Sequence, residues 1–205
     1  MKVCVIGGTN PATNPKWLDF AEDLGKRMCD AHFEMVWGGN AFGVLSHIHK
    51  KYVKYDKPNT LVMPDTYKDD LKVMKTDKVV ATELVVERTH EMFLLANHGA
   101  ILCVPGGIGT IYEFWTAIEG LRAGEYDFDI IMLNYKGFFD DQLKFFDFIN
   151  QEGFTKIGKG GAPYKIEPTD LFKVVTTPEE VLVELEKIRD KRDVKKFCKK
   201  TPHDK

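Results

Sequence analysis

The chain has 205 residues, of which 43% are hydrophobic and 29% charged, and its formal net charge is -2. This length and composition are typical of one globular domain that buries a full core. The nearly balanced charge gives no general attraction to nucleic acid or to an acidic membrane, so we expect neither as a partner.

A predicted strand starts at Lys2, so we expect no signal peptide. No apolar run approaches the ~20 residues that a membrane-spanning helix needs. The cysteines are Cys4, Cys29, Cys103 and Cys198, and no two of them form a C-x-x-C pair. We therefore expect a cytoplasmic protein with reduced, structural thiols.

Seven short apolar or β-branched runs recur along the chain, and each is apolar almost without interruption. Strands that are buried on both faces of a parallel sheet have this pattern. The predicted strands cover residues 3–6, 34–37, 60–63, 79–81, 100–104, 130–133 and 173–175.

Amphipathic helices alternate with these strands. The first is predicted to begin behind Asn14 and Pro15, with Trp17 and Phe20 on its inner face. Others follow the fifth and sixth strands, and the last begins at Thr177. This alternation predicts an α/β fold, a three-layer, Rossmann-like, doubly wound parallel sheet flanked by helices.

We expect a single nucleotide-binding domain over residues 1–188. The segment 155–163 contains three glycines and is predicted to be an exposed, flexible loop. Residues 189–205 are dense in lysine and aspartate, which is typical of a charged, solvated C-terminal tail.

Three glycine clusters follow three of the predicted strands: Gly7-Gly8, Gly38-Gly39 and Gly106-Gly107-x-Gly109. Any one of them alone could serve a tight turn. Ligands of open α/β sheets bind beyond the carboxyl ends of the strands, and glycine lets backbone N–H groups approach an anion. Together the clusters predict a backbone-lined pocket for a phosphorylated ligand.

Other nucleotide-binding patterns fit poorly. The first glycine turn is not G-x-G-x-x-G, and the second strand ends in Trp37-Gly38 rather than in an acidic residue, so a dinucleotide site of the usual kind is not expected. The chain has no G-x-x-x-x-G-K-[ST] segment of a P-loop hydrolase. No histidine has a convincing metal-ligand spacing with an acidic partner, so we expect no metal.

The third glycine cluster lies between an apolar strand that ends at Pro105 and a predicted helix. The amino terminus of a helix attracts phosphate. Thr110 would either bind the phosphate or cap the helix. Glu113 lies further along the same helix, whose field helps to keep the carboxylate ionised. A carboxylate beside a bound phosphate is unfavourable unless it acts on the ligand, so Glu113 is the candidate catalytic group.

The segment from Pro105 to Glu113 matches the pattern PGGxGTxxE. It resembles the LOG family of cytokinin riboside 5′-monophosphate phosphoribohydrolases, long mislabelled as lysine decarboxylases. Further similar segments extend over most of the chain and cover residues 3–8, 36–43, 87–92 and 133–154.

The resemblance implies a homodimeric enzyme that hydrolyses the N-glycosidic bond of a nucleoside 5′-monophosphate. Free base and ribose 5-phosphate would be released without a metal or an organic cofactor. The catalytic pair would be Arg88 and Glu113. The expected substrate-binding residues are Gly8, Gly38, Gly39, Gly106, Gly107, Gly109 and Thr110.

Several alternatives stay open at this point. The released base is undetermined, because Asn40 replaces a family glycine, and the substrate is either a cytokinin riboside 5′-monophosphate or AMP. A non-catalytic protein of this fold that binds a nucleotide or molybdenum cofactor is the main alternative, favoured if Arg88 points away from Glu113. Trp37 and Trp115 fit either a purine-stacking or a core position, and Met92 fits either packing or a base pocket.

Overall fold

The computed structural model describes residues 1–67, 75–154 and 171–200, the last six of them as backbone. The strands are β1 (Lys2–Ile6), β2 (Glu34–Trp37), β3 (Asn59–Pro64), β4 (Lys78–Thr82), β5 (Ala100–Cys103), β6 (Asp129–Leu133) and β7 (Lys173–Val175). They form one sheet in the order β4-β3-β2-β1-β5-β6-β7, and every adjacent pair is parallel. All seven predicted strands are confirmed, with ends that differ by at most one residue.

The central strands are buried on both faces, as their continuous apolar runs predicted. Along β1, Val3 and Val5 pack into one core, whereas Cys4 and Ile6 pack into the other. All four of these side chains are fully buried. Successive side chains of a strand point to opposite faces, so a strand between two helical layers needs apolar residues at every position.

Six helices cover the sheet within the described residues. They are α1 (Ala21–Asp30), α2 (Gly43–Lys54), α3 (Val85–Leu95), α4 (Ile108–Ala123), α5 (Asp140–Gln151) and α6 (Pro178–Lys200). Apolar residues of α1, α2 and α6 line one core, and those of α3, α4 and α5 line the other. The predicted three-layer, Rossmann-like α/β fold is confirmed.

The first predicted helix is interrupted. Asn14 accepts a hydrogen bond from the backbone N–H of Lys16 at 3.1 Å and starts only a short 3-10 turn, Pro15–Trp17, before α1 begins at Ala21. Trp17 therefore does not lie on the inner face of an α-helix, and this prediction is wrong. The break matters because it leaves the Trp17 side chain half-buried at the sheet edge.

The last helix continues beyond the predicted domain boundary at residue 188. Arg189 donates to the carbonyl oxygen of Ala31 at 2.9 Å. Arg192 is buried and pairs with Asp127 at 2.7 Å and with Asp129 at 2.8 Å. Residues 189–192 thus pack on the domain. Residues 201–205 and the predicted loop 155–163 lie outside the described residues.

The chain path creates a crevice at one edge of the sheet. From β1 the strands proceed outward through β2, β3 and β4, and β5 then returns to the other side of β1. The connections after β1 and β5 consequently leave the sheet in opposite directions. This switch of direction is where open α/β sheets bind ligands, beyond the carboxyl ends of the strands.

The described parts of the chain contain no helix with the length and apolar character needed to cross a bilayer. Cys4, Cys29 and Cys103 are free and buried, in agreement with the predicted structural thiols. The Cys198 side chain lies outside the description.

We predict that Gly25→Ala destabilises the fold. A Cβ atom at Gly25 would lie 2.6 Å from the carbonyl oxygen of Ile48, so α1 and α2 would have to separate. Overpacking of this kind lowers the free energy of unfolding by ~2 kcal/mol, which urea denaturation measures. Gly109→Ala is the control, since nothing lies within 4 Å of the added atom. Equal stability of the two variants would contradict this account of the helix contact.

Candidate functional site

A cavity of about 710 Å³ opens at the switch between β1 and β5. Its wall is built from the segments that follow β1, β2, β3, β5 and β6, together with side chains from α3 and α4. All nine residues that the sequence nominated line this one cavity: Gly8, Gly38, Gly39, Arg88, Gly106, Gly107, Gly109, Thr110 and Glu113. Their placement is observed, and their individual roles stay predictions.

The glycines of the third cluster have two different tasks. A Cβ atom at Gly106 would lie 2.1 Å from Thr110 Oγ1 and 2.6 Å from the backbone nitrogen of Gly8. The N–H of Gly8 in turn donates to the carbonyl of Pro105 at 3.0 Å. Gly106 is therefore needed for the close approach of the β1 and β5 turns. The Thr110 side chain is buried against it.

Packing does not require glycine at the next two cluster positions. A Cβ atom at Gly107 or at Gly109 would meet nothing within 4 Å. Gly107 is also the residue that caps α4, and it has no side chain that could accept a hydrogen bond from the first turn of this helix. The backbone N–H groups of that turn have no partner within the helix, and they lie at the positive end of its dipole. The missing side chains keep this turn open toward the cavity.

Arg88 and Glu113 form an ion pair at the cavity wall. Arg88 Nη2 donates to Glu113 Oε1 at 2.5 Å, and the exposed fractions of the two side chains are 19% and 8%. Arg88 lies on α3 and Glu113 on α4, so the pair joins two neighbouring helices of one layer. Arg88 therefore does not point away from Glu113, which is the orientation that would favour the non-catalytic alternative.

Gly38 leaves room for the guanidinium of Arg88. A Cβ atom at Gly38 would lie 3.3 Å from Arg88 Nη1 and 3.4 Å from the sulfur of Met92. Within the described residues, the buried Nε of Arg88 has no hydrogen-bond partner. A buried donor without a partner costs free energy, so the placement of Arg88 in the site opposes the stability of the fold.

Burial raises the pKa of Glu113, and the neighbouring Arg88 lowers it by charge attraction and by its hydrogen bond. Burial is the larger effect, because a charged carboxylate loses its hydration in the protein interior. The sequence had predicted that the helix field keeps this group ionised. The structure makes Arg88 the group that favours the carboxylate.

The cavity has an apolar end beyond this ion pair. Met63 and Pro64 at the end of β3 and Tyr67 just after it line this end, together with Val85 and Met92. Met92 is fully packed and also contacts the cavity, so both of its predicted tasks are compatible with its position.

Of the two positions that the sequence allowed, Trp37 and Trp115 take the one in the core. Trp37 is fully buried and stacks on His49, with ring centroids 4.2 Å apart, and Trp115 stacks on Phe146 at 5.6 Å. The tryptophan in the cavity wall is Trp17, where it meets Phe138. Sequence reasoning missed it because its spacing from the following apolar residues is that of a core helix.

No group of three or more histidine, cysteine, aspartate or glutamate side chains in the described ranges could hold a metal ion.

Comparison with protein families gives a match over residues 38–185 to the model described as "Possible lysine decarboxylase". Two curated proteins of Arabidopsis thaliana, both cytokinin riboside 5′-monophosphate phosphoribohydrolases, are 24% and 26% identical to the chain. These alignments cover 90% of this chain in both cases, and 82% and 81% of the relatives.

Solved structures with the same fold include a molybdenum cofactor binding protein from Rippkaea orientalis, with a TM-score of 0.66 and 19% identity. That match covers 91% of this chain and 96% of the other. A molybdenum cofactor carrier protein from Chlamydomonas reinhardtii has a TM-score of 0.65 and 18% identity, with 92% and 98% coverage. These similarities establish the shared fold.

We predict that Arg88→Met raises the pKa of Glu113 further, because the variant loses the cation that stabilises the carboxylate. A 13C NMR titration of the glutamate carboxyl groups measures this shift, with Glu113→Gln used to assign the resonance. Glu119→Gln on the exposed side of the same helix should leave the titration unchanged. An unchanged or lowered pKa in Arg88→Met would show that Arg88 does not stabilise the charged form.

Proposed function

Because the chain belongs to the LOG-type family, whose model is described as possible lysine decarboxylase, we propose that it hydrolyses the N-glycosidic bond of a nucleoside 5′-monophosphate. The observation that carries this proposal is the buried Arg88–Glu113 pair beside the open first turn of α4. A site for phosphate and a carboxylate for chemistry thus share one cavity wall.

The sheet order suggests how the substrate lies. The phosphate binds the N–H groups of the first turn of α4, after β5. The ribose lies at Glu113, and the base extends toward the apolar end of the cavity after β3. In this orientation the bond to be cleaved lies next to the ion pair.

The reaction breaks the bond between C1′ of the ribose and a nitrogen of the base. Positive charge develops on the sugar ring as the base departs with the bonding electrons. The carboxylate of Glu113 stabilises this charge and orients the attacking water. Water adds its hydroxyl group to C1′, and its remaining proton goes to the base nitrogen, so that free base and ribose 5-phosphate result.

Arg88 acts through the carboxylate in this mechanism. It favours the ionised form of Glu113 and fixes the orientation of the carboxylate through the 2.5 Å hydrogen bond. No metal or organic cofactor takes part.

The apolar end of the cavity supports a base with an apolar substituent, as in a cytokinin riboside 5′-monophosphate, and AMP is the second candidate substrate. A non-catalytic nucleotide or molybdenum cofactor carrier is the alternative function, because solved proteins of this fold have such names. Arg88 points toward Glu113, which supports catalysis over carriage. The described cavity lining supplies no lysine for the Schiff base of a pyridoxal-dependent decarboxylase.

We further propose that a second copy of the chain packs beside the cavity. Ile108, within the glycine motif, is 88% exposed, and Ile111 and Tyr112 on the same helix and Val86 on α3 are exposed too. Contiguous apolar side chains on a surface indicate an interface, and a copy seated here would cover the outer rim of the site.

We predict that Glu113→Ala abolishes base release from AMP and from isopentenyladenosine monophosphate. Loss of a group that stabilises transition-state charge lowers kcat by ~10²–10⁴-fold. Chromatography of the free base measures it, and circular dichroism checks the fold. Glu119→Gln, an exposed glutamate of the same helix, is the matched control. Full activity of Glu113→Ala would overturn the proposal, and binding without release in the wild type would favour the carrier.

We predict that Gly107→Ala weakens substrate binding without weakening the fold. The added methyl group meets no protein atom but occupies space assigned to the phosphate, so KM should rise about tenfold, equivalent to ~1.4 kcal/mol. Thermal denaturation should stay near the wild-type value. Gly106→Ala should instead lower stability, because its Cβ atom collides with Thr110. A Gly107→Ala variant that loses stability, or a Gly106→Ala variant that keeps it, would contradict these different roles of the two glycines.

We predict that Ile111→Glu converts a dimer into a monomer, because a charge would be buried in an apolar interface. Light scattering after size exclusion measures the mass of wild type and variant. Val183→Glu, at an exposed position of α6 in the opposite layer, should stay dimeric. A monomeric wild-type protein would rule the proposed assembly out.

A further inference from the structure

The cavity extends past the glycine loop in the direction away from the ion pair. Glu113 and Arg88 lie on the β2 side of this loop, where Arg88 contacts Gly38 at the end of β2. On the other side, Phe138 follows β6 and lines the same cavity with Trp17. The wall therefore continues on both sides of the position assigned to the phosphate.

A mononucleotide uses only part of this edge. From β3 to β6 the sheet order spans four strand spacings, or ~19 Å at ~4.8 Å each. Base, ribose and phosphate occupy the three spacings from β3 to β5 in the orientation proposed above. The fourth spacing, which ends at Phe138, lies beyond the phosphate.

Two aromatic side chains, Trp17 and Phe138, form the wall at this far end of the cavity. The rings of Trp17 and Phe138 meet edge to face, with centroids 4.9 Å apart and an interplanar angle of 81°. Lys136 and Asp19 form an ion pair at 2.9 Å that joins the two chain segments, and Phe20 packs on Tyr135 at 4.7 Å. The neighbouring contacts thus hold both segments in place before any ligand binds.

Trp17 is not explained by core packing. It is half-buried and belongs to neither hydrophobic core of the described structure. The ammonium group of Lys16 lies 4.5 Å from the ring centroid. Aromatic side chains stack on planar heterocycles, and the lysine beside this ring attracts an additional phosphate of the same ligand.

We propose that the Trp17–Phe138 wall is a second subsite, which binds a planar heterocycle attached through a pyrophosphate to the 5′ position of the nucleotide. The ligand class is a 5′,5′-linked dinucleotide. This inference rests on the proposed function for the position of the first nucleotide. It adds a ligand class that the mononucleotide reaction does not require.

Calorimetry tests the subsite with three ligands: AMP, ADP and diadenosine 5′,5′-diphosphate. The Glu113→Gln protein is used, so that no ligand is cleaved during the titration. Stacking of the second base should make diadenosine diphosphate bind at least tenfold more tightly than ADP. ADP is the reference because it carries the second phosphate without the second base.

Trp17→Ala is introduced into the Glu113→Gln protein. It should remove the tenfold higher affinity for diadenosine diphosphate over ADP and leave the affinity for AMP unchanged. Phe148→Ala, an exposed aromatic residue of α5 outside the cavity lining, is the matched control and should keep the gain. Equal affinity for ADP and diadenosine diphosphate, or a gain that survives Trp17→Ala, would overturn the subsite.

A parallel assay of base release from AMP by the wild-type protein separates the two proposals. If base is released from AMP but diadenosine diphosphate binds no more tightly than ADP, only the subsite is refuted. If diadenosine diphosphate binds more tightly through Trp17 but no base is released from AMP, only the hydrolytic function is refuted. A protein that binds none of the three ligands refutes both.

Discussion

The ion pair between Arg88 and Glu113 is the interaction on which the site depends. A carboxylate with so little exposure is costly to ionise, and the guanidinium 2.5 Å away offsets part of that cost. The arginine can lie there because Gly38 has no side chain. The buried charge of Glu113 thus requires Arg88 on the neighbouring helix and a glycine after β2. This requirement fixes the relative positions of α3, α4 and the turn after β2.

The sheet topology brings these segments together. The reversal of strand order between β1 and β5 places the glycine turns after both strands side by side, and Gly106 is the residue through which they touch. Gly107 and Gly109 are free of packing constraints and leave the first turn of α4 open. Within four residues the loop therefore has one glycine that packing requires and two that it does not, a difference that the glycine spacing alone does not reveal.

The fold was largely predictable, because strands between two helical layers must be apolar at every position, and that pattern is local. The cavity residues were predictable where a motif carried them, as for Glu113. The Arg88–Glu113 contact was implied only by family resemblance, since no local pattern relates residues 25 positions apart. Trp17 was misplaced because the sequence pattern of an apolar residue at helical spacing does not distinguish a core position from a cavity-lining one. The apolar end at Met63 and Tyr67 has no sequence signature, and only the sheet order places it near the site.

The central claim is that one nucleotide lies across the sheet edge with its phosphate on α4 and its sugar at Glu113. A crystal structure of the Glu113→Gln protein with intact AMP tests this most directly. The account predicts the phosphate within hydrogen-bond distance of the N–H groups in the first turn of α4, C1′ beside residue 113, and the adenine toward Met63. A phosphate bound elsewhere, or a ribose remote from residue 113, would contradict it.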